Sequence, residues 1–162
     1  MRNAEVLVVS TSQKILNETF QSICSEIINE NKDVIFGFIP IDDQLQLNLY
    51  GFFWKENSTD YYWERICRKV LGAIVLFDWQ NETSLSMLKE VLSFFEKRFE
   101  IPIMTASTLN GAITSLPIKL YRGGLPVSEG SRFTFFDLKA PSSVRELIVG
   151  LININLETMS KE

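Results

Sequence analysis

Short apolar runs alternate with amphipathic segments along most of the chain. Four runs are rich in β-branched or aromatic residues and short enough to be strands, at 5–10, 73–78, 101–106 and 133–136. The first two are apolar at successive positions, which is typical of strands buried on both faces of a parallel sheet. This pattern predicts a sheet with its first strand near the centre.

Between these strands, apolar residues recur at the spacing of a helix that buries one face. The first such stripe is Leu16, Phe20, Ile23 and Ile27, and either Thr11 or Ser12 is placed to cap it. Further helices are predicted over 60–70, after Thr83 as N-cap, and at the end of the chain after Ser142 as N-cap. Alternating strands and helices predict helices on both faces of the sheet.

Two further strands interrupt this alternation, at 34–40 and 45–50. The four residues that join them are too few for a crossover helix, so the pair is predicted to be an antiparallel hairpin. The expected fold is therefore α/β, with three layers and a mostly parallel six-stranded sheet that carries one antiparallel edge strand. The 162 residues fit one domain, 1–162.

Composition narrows the function classes. A formal charge of −4 and a pI near 5.0 do not favour nucleic acid or an anionic membrane surface as a partner. The chain has no apolar run long enough to predict a membrane span and no apolar segment typical of a signal peptide, so a cytoplasmic location is expected. With no histidine, and with Cys24 and Cys67 expected as buried free thiols, the sequence predicts no metal and no cofactor.

One stretch of the chain resembles a known protein family in its residues as well as in the order of its elements. Leu49-Tyr50-Gly51, then Tyr62-Trp63-Glu64-Arg65-Ile66, then 71–78 (LGAIVLFD) resemble the third strand, second helix and fourth strand of bacterial Ras-like GTPases. Members of the group related to the gliding-motility GTPase MglA read close to L-x-L-F-G-T-P-G-Q there, followed by G-A-I-V-L-V-D. The resemblance implies a Ras-like fold. In that family three sequence motifs bind the nucleotide, and each can be compared with this chain.

The first motif is absent. A phosphate loop, G-x-x-x-x-G-K-[ST], wraps phosphates with inward N–H groups and needs glycines for that path. After Val9 the chain reads STSQKILN, which contains no glycine. Lys14 could act as the loop lysine only in a shortened loop, and Ile15 would then replace the magnesium-binding hydroxyl; the simpler interpretation is a solvated lysine in the first helical turn.

The other two motifs are degraded as well. If Gly51 is matched to the first glycine of F-G-T-P-G, Trp54 stands at the glycine that meets the γ-phosphate and Lys55 replaces the glutamine that orients water. The base-recognition motif N-K-x-D is represented only by 108–111 (TLNG), which has no aspartate to bind the guanine edge. The sequence therefore predicts that nucleotide is not bound and that no residue is catalytic.

Two other patterns of polar residues have simpler structural explanations. Asp42 and Asp43 are adjacent acids in a hairpin link, where they are expected as turn residues. Gly123-Gly124 lacks a following helix and is expected as a turn.

Aromatic residues are the remaining candidates for function. Phe52, Phe53, Trp54 and Trp79 are the candidate partner-binding residues, because aromatic rings are enriched in interfaces and the first three fall where the resembled family has a switch. The alternative for Phe53 and Trp54 is that they fill the vacant phosphate site, and for Trp79 that it covers the edge of the core.

These observations predict a pseudo-GTPase that acts as a scaffold or regulator through protein partners. The resemblance suggests a Roadblock or longin-type domain, or a component of bacterial motility or polarity systems, as the partner. Two alternatives remain: a divergent nucleotide switch that uses Lys14, and an unrelated receiver- or flavodoxin-like domain, which would lack the hairpin.

The last expectation concerns the carboxyl edge of the sheet. Free N–H groups at helix N-termini need acceptors when no ligand supplies them. We expect Ser10, Thr11 and Ser12 to cap the first helix, and Phe53 or Trp54 to turn inward so that no pocket of nucleotide size remains.

Overall fold

A computed structural model describes residues 2–29, 33–55, 63–108 and 131–160. Its sheet has seven strands in the order β2-β3-β4-β1-β5-β6-β7. β1 lies in the middle and pairs in parallel with β4 on one side and β5 on the other. The strands are β1 Arg2–Ser10, β2 Glu26–Asn29, β3 Val34–Pro40, β4 Leu45–Phe53, β5 Ala73–Phe77, β6 Ile103–Thr108 and β7 Ser131–Phe136.

Helices cover both faces of this sheet. They are α1 Gln13–Ile23, α2 Trp63–Cys67, α3 Glu82–Arg98 and α4 Pro141–Ser160. α1 and α4 pack against one face, where Val6, Val8 and Leu49 are buried with Phe20 and Leu151. α2 and α3 pack against the other face in a second buried cluster, so the predicted three-layer α/β architecture is confirmed.

The antiparallel part of the sheet is larger than expected. The predicted hairpin is present as β3 and β4, which excludes the all-parallel order of a receiver-like domain. β2 adds a strand at the edge, antiparallel to β3, so the sheet has seven strands instead of six.

The predicted extension of the first helix to Ile27 is wrong. α1 ends at Ile23, and Ile27 lies in β2 opposite Gly37, where strand hydrogen bonds replace helical ones. Ile27 still packs against the same core cluster, so its apolar side chain fits either a helical or a strand pattern.

Two predicted helix caps are also wrong. Asn81, not Thr83, caps α3, because its side-chain oxygen accepts a hydrogen bond from the Ser84 N–H at 3.0 Å. Ser142 lies inside the first turn of α4, and the backbone carbonyl of Ala140 accepts from the first turn instead. Proline at the first helical position agrees with the start of α4 at Pro141.

The hairpin link behaves as predicted. Asp42 accepts hydrogen bonds from the backbone N–H groups of Gln44 and Leu45 at 2.7 and 2.8 Å, as a turn aspartate does. Gly123-Gly124 lies outside the described residues. Among the helices that the structure describes, none is long and apolar enough to cross a membrane.

Candidate functional site

The carboxyl end of β1 connects to α1 through two residues, Thr11 and Ser12. Ser12 is the N-cap, and its hydroxyl accepts a hydrogen bond from the Ile15 N–H at 3.3 Å. Ser10 folds back on this link: its hydroxyl donates to the Ser12 carbonyl at 2.7 Å and accepts from the Ser12 N–H at 3.1 Å. The expected capping by hydroxyls is thus confirmed for Ser12, whereas Ser10 braces the link.

Thr11 connects α1 to α3 instead of capping. Its hydroxyl and that of Ser84 are hydrogen-bonded at 2.6 Å, and its N–H donates to the Leu76 carbonyl at 3.1 Å. Ser84 also accepts from the Asp78 N–H at 2.9 Å. Side chains therefore join the N-termini of the two helices directly across the carboxyl edge of the sheet.

A cleft of about 400 Å³ lies above this junction. This volume falls towards the lower end of the general range of ligand pockets, so a cleft remains at this edge of the sheet; that it is too small for a nucleotide stays a prediction. The one charged side chain in its described lining is the carboxylate of Asp78, and none of the lining side chains is cationic. The lining residues are Thr11, Ser12, Gln13, Phe53, Asp78, Asn81, Thr83 and Ser84.

Trp54, one of the two rings expected to fill this space, does not line the cleft. Trp54 is 3% exposed and packs beside Trp63, Phe94 and Phe95, with ring centroids 5.4–6.1 Å away, in the layer formed by α2 and α3. Its backbone N–H donates to the Ser10 carbonyl at 2.8 Å, which ties the end of β4 to β1. Trp54 is therefore a core residue and does not line the cleft, whereas Phe53, the other ring expected to turn inward, does line it.

The other candidate partner-binding rings are buried to different degrees. Phe52 and Trp79 are 5% and 8% exposed, while Phe53 is half-buried and lines the cleft. The Trp79 backbone N–H donates to the Ser107 hydroxyl at 3.0 Å, and within the described chain its indole N–H has no hydrogen-bond partner. Of the four rings proposed from the sequence, only Phe53 borders both the surface and the cleft.

The glycine that anchored the family comparison has a packing role. Gly51 lies within β4, where a Cβ atom would come 2.6 Å from Ile35 Cγ2 and 2.7 Å from Phe20 Cζ. Only glycine fits under the Phe20 ring here without displacing it. The space required by Phe20 is therefore enough to explain this glycine.

The two lysines considered from the sequence form ion pairs outside the cleft lining. Lys14 lies in the first turn of α1 with its side chain 82% exposed, 4.0 Å from Glu18. Lys55 forms an ion pair with Asp33 at the start of β3. Neither lysine is among the residues that line the cleft.

Comparison with known proteins adds a structural relative. No family model matches the chain, and no curated protein matches it by sequence. A solved structure of a Plasmodium falciparum protein described as nucleolar GTP-binding protein 1 superposes with a TM-score of 0.68. The match covers 98% of this chain and 90% of that one, at 10% identity.

The chain has a GTPase-like α/β fold. At 10% identity the likeness concerns the fold alone. In this GTPase-like fold, the cleft lies at the carboxyl ends of β1, β4 and β5, the edge at which ligands bind in open α/β sheets. Residues 109–111, where the sequence comparison expected a base-recognition motif, lie outside the described residues.

Sequence reasoning did not identify the α3 side of the site. Asn81 and Ser84 form the cap and the junction with Thr11, and Asp78 supplies the charge. A signal was present: Asp78 ends an apolar strand, and Asn81 precedes the α3 stripe at the usual distance for a cap. Because Thr83 was expected as the cap, this signal was not used.

Proposed function

We propose that this chain is a protein-binding module with a GTPase-like fold that works without bound nucleotide. The observation that carries this proposal is the two-residue connection from β1 to α1. A phosphate loop of the form G-x-x-x-x-G-K needs about four residues between its glycines to wrap the phosphates. Two residues, each already held by hydrogen bonds, do not provide that path.

The charge of the cleft supports the same proposal. Enzymes that transfer phosphoryl groups neutralise a polyphosphate with lysine, arginine or Mg²⁺. Asp78 is the one charged side chain in the described lining, and its carboxylate would repel the phosphates. Lys14 is directed into solvent and would have to leave its place on the helix surface to reach them.

Nucleotide titration tests this proposal directly. We expect no saturable heat from GTP or GDP with Mg²⁺ in isothermal titration, and no rise in Tm at millimolar nucleotide, since a ligand that binds the native state would stabilise it. An active small GTPase serves as the positive control. Magnesium-dependent binding at micromolar affinity would contradict the proposal.

A divergent nucleotide switch is the second candidate, because the cleft is open and two helix N-termini border it. Such termini attract anions when their N–H groups are available. This candidate predicts a nucleotide-dependent rise in Tm that Lys14→Ala abolishes and Glu18→Ala preserves. The protein-binding proposal predicts no rise in any of the three proteins.

For the partner surface we propose the rim of the cleft around Phe53, the candidate ring that remains at the surface. By resemblance, Roadblock or longin-type domains and motility or polarity components are the partners to test first. Phe53→Ala should weaken capture of such a domain at least about tenfold, the loss typical of a hot-spot ring. Ile41→Ala, an exposed apolar residue in the hairpin link, is the control.

A further inference from the structure

A groove continues from the cleft along α1 to the edge of the sheet. Gln13 lines the cleft and also a neighbouring cavity of about 150 Å³ between α1 and the start of β3. Asn17, Asn29 and Ile35 line that cavity and a third one of about 310 Å³ beside β2. Because neighbouring cavities share lining residues, the three form one groove, here called the α1 groove.

Carboxamide side chains line the α1 groove. Gln13, Asn17 and Gln21 follow one another at intervals of four residues, so they lie on one face of α1. Asn29, at the end of β2, lines the opposite side of the groove. In the part of the chain that the structure describes, the side chains of Asn17, Gln21 and Asn29 form no hydrogen bond, so they are available to a ligand.

This lining fits a peptide backbone. Each carboxamide carries both donor and acceptor atoms, and a peptide backbone presents the same two kinds of group in almost every residue. The buried side chains of Leu16 and Ile35 form an apolar base. A polyanion would instead require cations, and no lysine or arginine is among the described residues that line the groove.

The length of the α1 groove sets the length of such a segment. Gln21 follows Gln13 by eight residues of helix, roughly 12 Å along its axis. An extended chain covers about 3.3–3.6 Å per residue, so about four residues of a bound segment lie along α1. With the part that reaches the cleft, the groove holds about six residues.

Charge selects the residue that enters the cleft. Two carboxylates are among the described lining residues, and that of Asp33 already forms an ion pair with Lys55. Asp78 forms no ion pair with any described residue, and it shares the cleft with the ring of Phe53. A carboxylate beside an aromatic ring suits a lysine or arginine, which can pair with the one and contact the other.

The two helix N-termini at the cleft already have acceptors. Helix dipoles favour anions there, but the Ile15 N–H is bonded to Ser12 and the Ser84 N–H to Asn81. These cap oxygens meet the positive ends of the helices. Asp78 therefore remains the one full charge in the described lining of the cleft.

We propose that the α1 groove binds an extended segment of a protein partner that carries a lysine or arginine. The basic side chain enters the cleft beside Asp78, and backbone groups of the segment form hydrogen bonds with the carboxamides along α1. The net charge of −4 also attracts a basic segment. This proposal rests on the proposed protein-binding function and specifies the chemistry of the partner.

Selection from a random peptide library tests the proposal. The probe is a phage-displayed library of random peptides of about twelve residues, twice the length that the groove holds, selected on the immobilised wild-type protein. We expect the selected peptides to share a lysine or arginine at one position. Fluorescence polarisation of labelled copies then gives their Kd values for the wild type and its variants.

The first pair of variants tests the charge. Asp78→Asn should weaken binding of the selected peptides at least about tenfold, because a hydrogen bond to a charged partner is lost. Asparagine keeps an acceptor for the Gln80 N–H, so this variant should fold. The control is Glu82→Gln, which removes an exposed acid in the first turn of α3 outside the described lining and should bind as the wild type does.

The second pair of variants tests the carboxamides. Asn17→Ala should weaken binding about threefold to tenfold, the usual effect of one lost hydrogen bond. Asn153→Ala, which changes an exposed asparagine on α4 outside the groove, should leave binding unchanged.

Three results would overturn the proposal: a library that yields no binder, selected peptides without a common basic residue, and equal losses in the groove variants and their controls. The proposed function has separate tests. If the groove fails while Phe53→Ala still weakens capture of a folded domain, the protein-binding function stands without the groove. Magnesium-dependent binding of GTP would instead remove the proposed function itself.

Discussion

Burial raises the pKa of both cysteine thiols, from 9.0 to about 12 for Cys24 and to about 11 for Cys67. The apolar surroundings disfavour the charged thiolate in each case. Because the thiolate is the reactive form, these cysteines should be chemically quiet in the folded protein.

Thiol labelling should therefore be slow in the native state. At pH 8 we expect both cysteines to react with an aromatic disulfide reagent at least about tenfold more slowly in the folded chain than in urea, because folded thiols remain protonated and shielded. Absorbance of the released thiolate gives the rate. Equal rates in the two states would contradict the burial of these residues.

A second residue-scale feature lies between β1 and β4. The Tyr50 hydroxyl donates a hydrogen bond to Glu5 Oε1 at 3.0 Å. Burial, together with the hydrogen bond to Glu5 and the nearby carboxylate charge, raises the pKa of Tyr50 from 10.0 to about 12. The folded state thus keeps this proton more tightly than the unfolded state.

This shift predicts how stability responds to alkaline pH. Tyr50 contributes its full stabilisation below pH 10, and the contribution is lost as the pH rises from 10 towards 12, because the unfolded state ionises first. The free energy of unfolding, measured with urea from pH 9 to 12, should fall less for Tyr50→Phe than for the wild type. The raised cysteine pKa values act in the same direction in both proteins, so the comparison isolates Tyr50. An equal fall in the free energy of unfolding in the two proteins would contradict the raised pKa of Tyr50.

Among the elements, α1 depends most on the link that precedes it. Ser12 caps the helix, Ser10 braces Ser12, and Thr11 holds α3. The helix itself is 11 residues long, short enough that its stability comes mainly from its caps and its packing.

Removal of the cap should have a measurable cost. Ser12→Ala should lower the free energy of unfolding by about 1 kcal/mol, because the Ile15 N–H loses its acceptor. Ser142→Ala is a matched control, since Ser142 lies within the first turn of α4 and does not cap it. Both values come from urea unfolding at neutral pH, and equal losses would contradict the capping role of Ser12.

At the scale of the whole molecule, the aromatic rings of the α2–α3 layer join that layer to the sheet. Trp54 extends from the end of β4 into a group of rings that includes Trp63, Phe94 and Phe95. Such pairs contribute packing energy beyond their buried area. The layer therefore depends on a residue that the sequence suggested as a partner contact.

Trp54→Ala should destabilise the whole domain. Loss of a buried tryptophan leaves a cavity and typically costs about 3–5 kcal/mol. Phe53→Ala, which removes a half-buried ring next in sequence, should cost clearly less. Thermal unfolding of the two variants gives the comparison. A smaller loss for Trp54→Ala than for Phe53→Ala would place Trp54 outside the core.

The periodic patterns were sufficient to predict the architecture but not the packing of particular side chains. All six predicted strands are present, because continuous apolar runs and strict alternation reflect burial on two faces or one. β2 was missed because Ile27 satisfies a helical and a strand pattern equally. The direction of Trp54 depends on its contacts with Phe94 and Phe95, more than 30 residues away in sequence, which no local pattern encodes.

The short link between β1 and α1 also limits how this domain could change. Substitutions can introduce glycines, a lysine or a hydroxyl, but they cannot lengthen a backbone path of two residues. Insertion of residues after Ser10 would break the Thr11–Ser84 hydrogen bond and shift the start of α1 relative to α3. Conversion of this domain into a phosphate-binding one would therefore require a longer connection between β1 and α1 together with repacking of α1 and α3. Substitutions of single residues cannot make both changes.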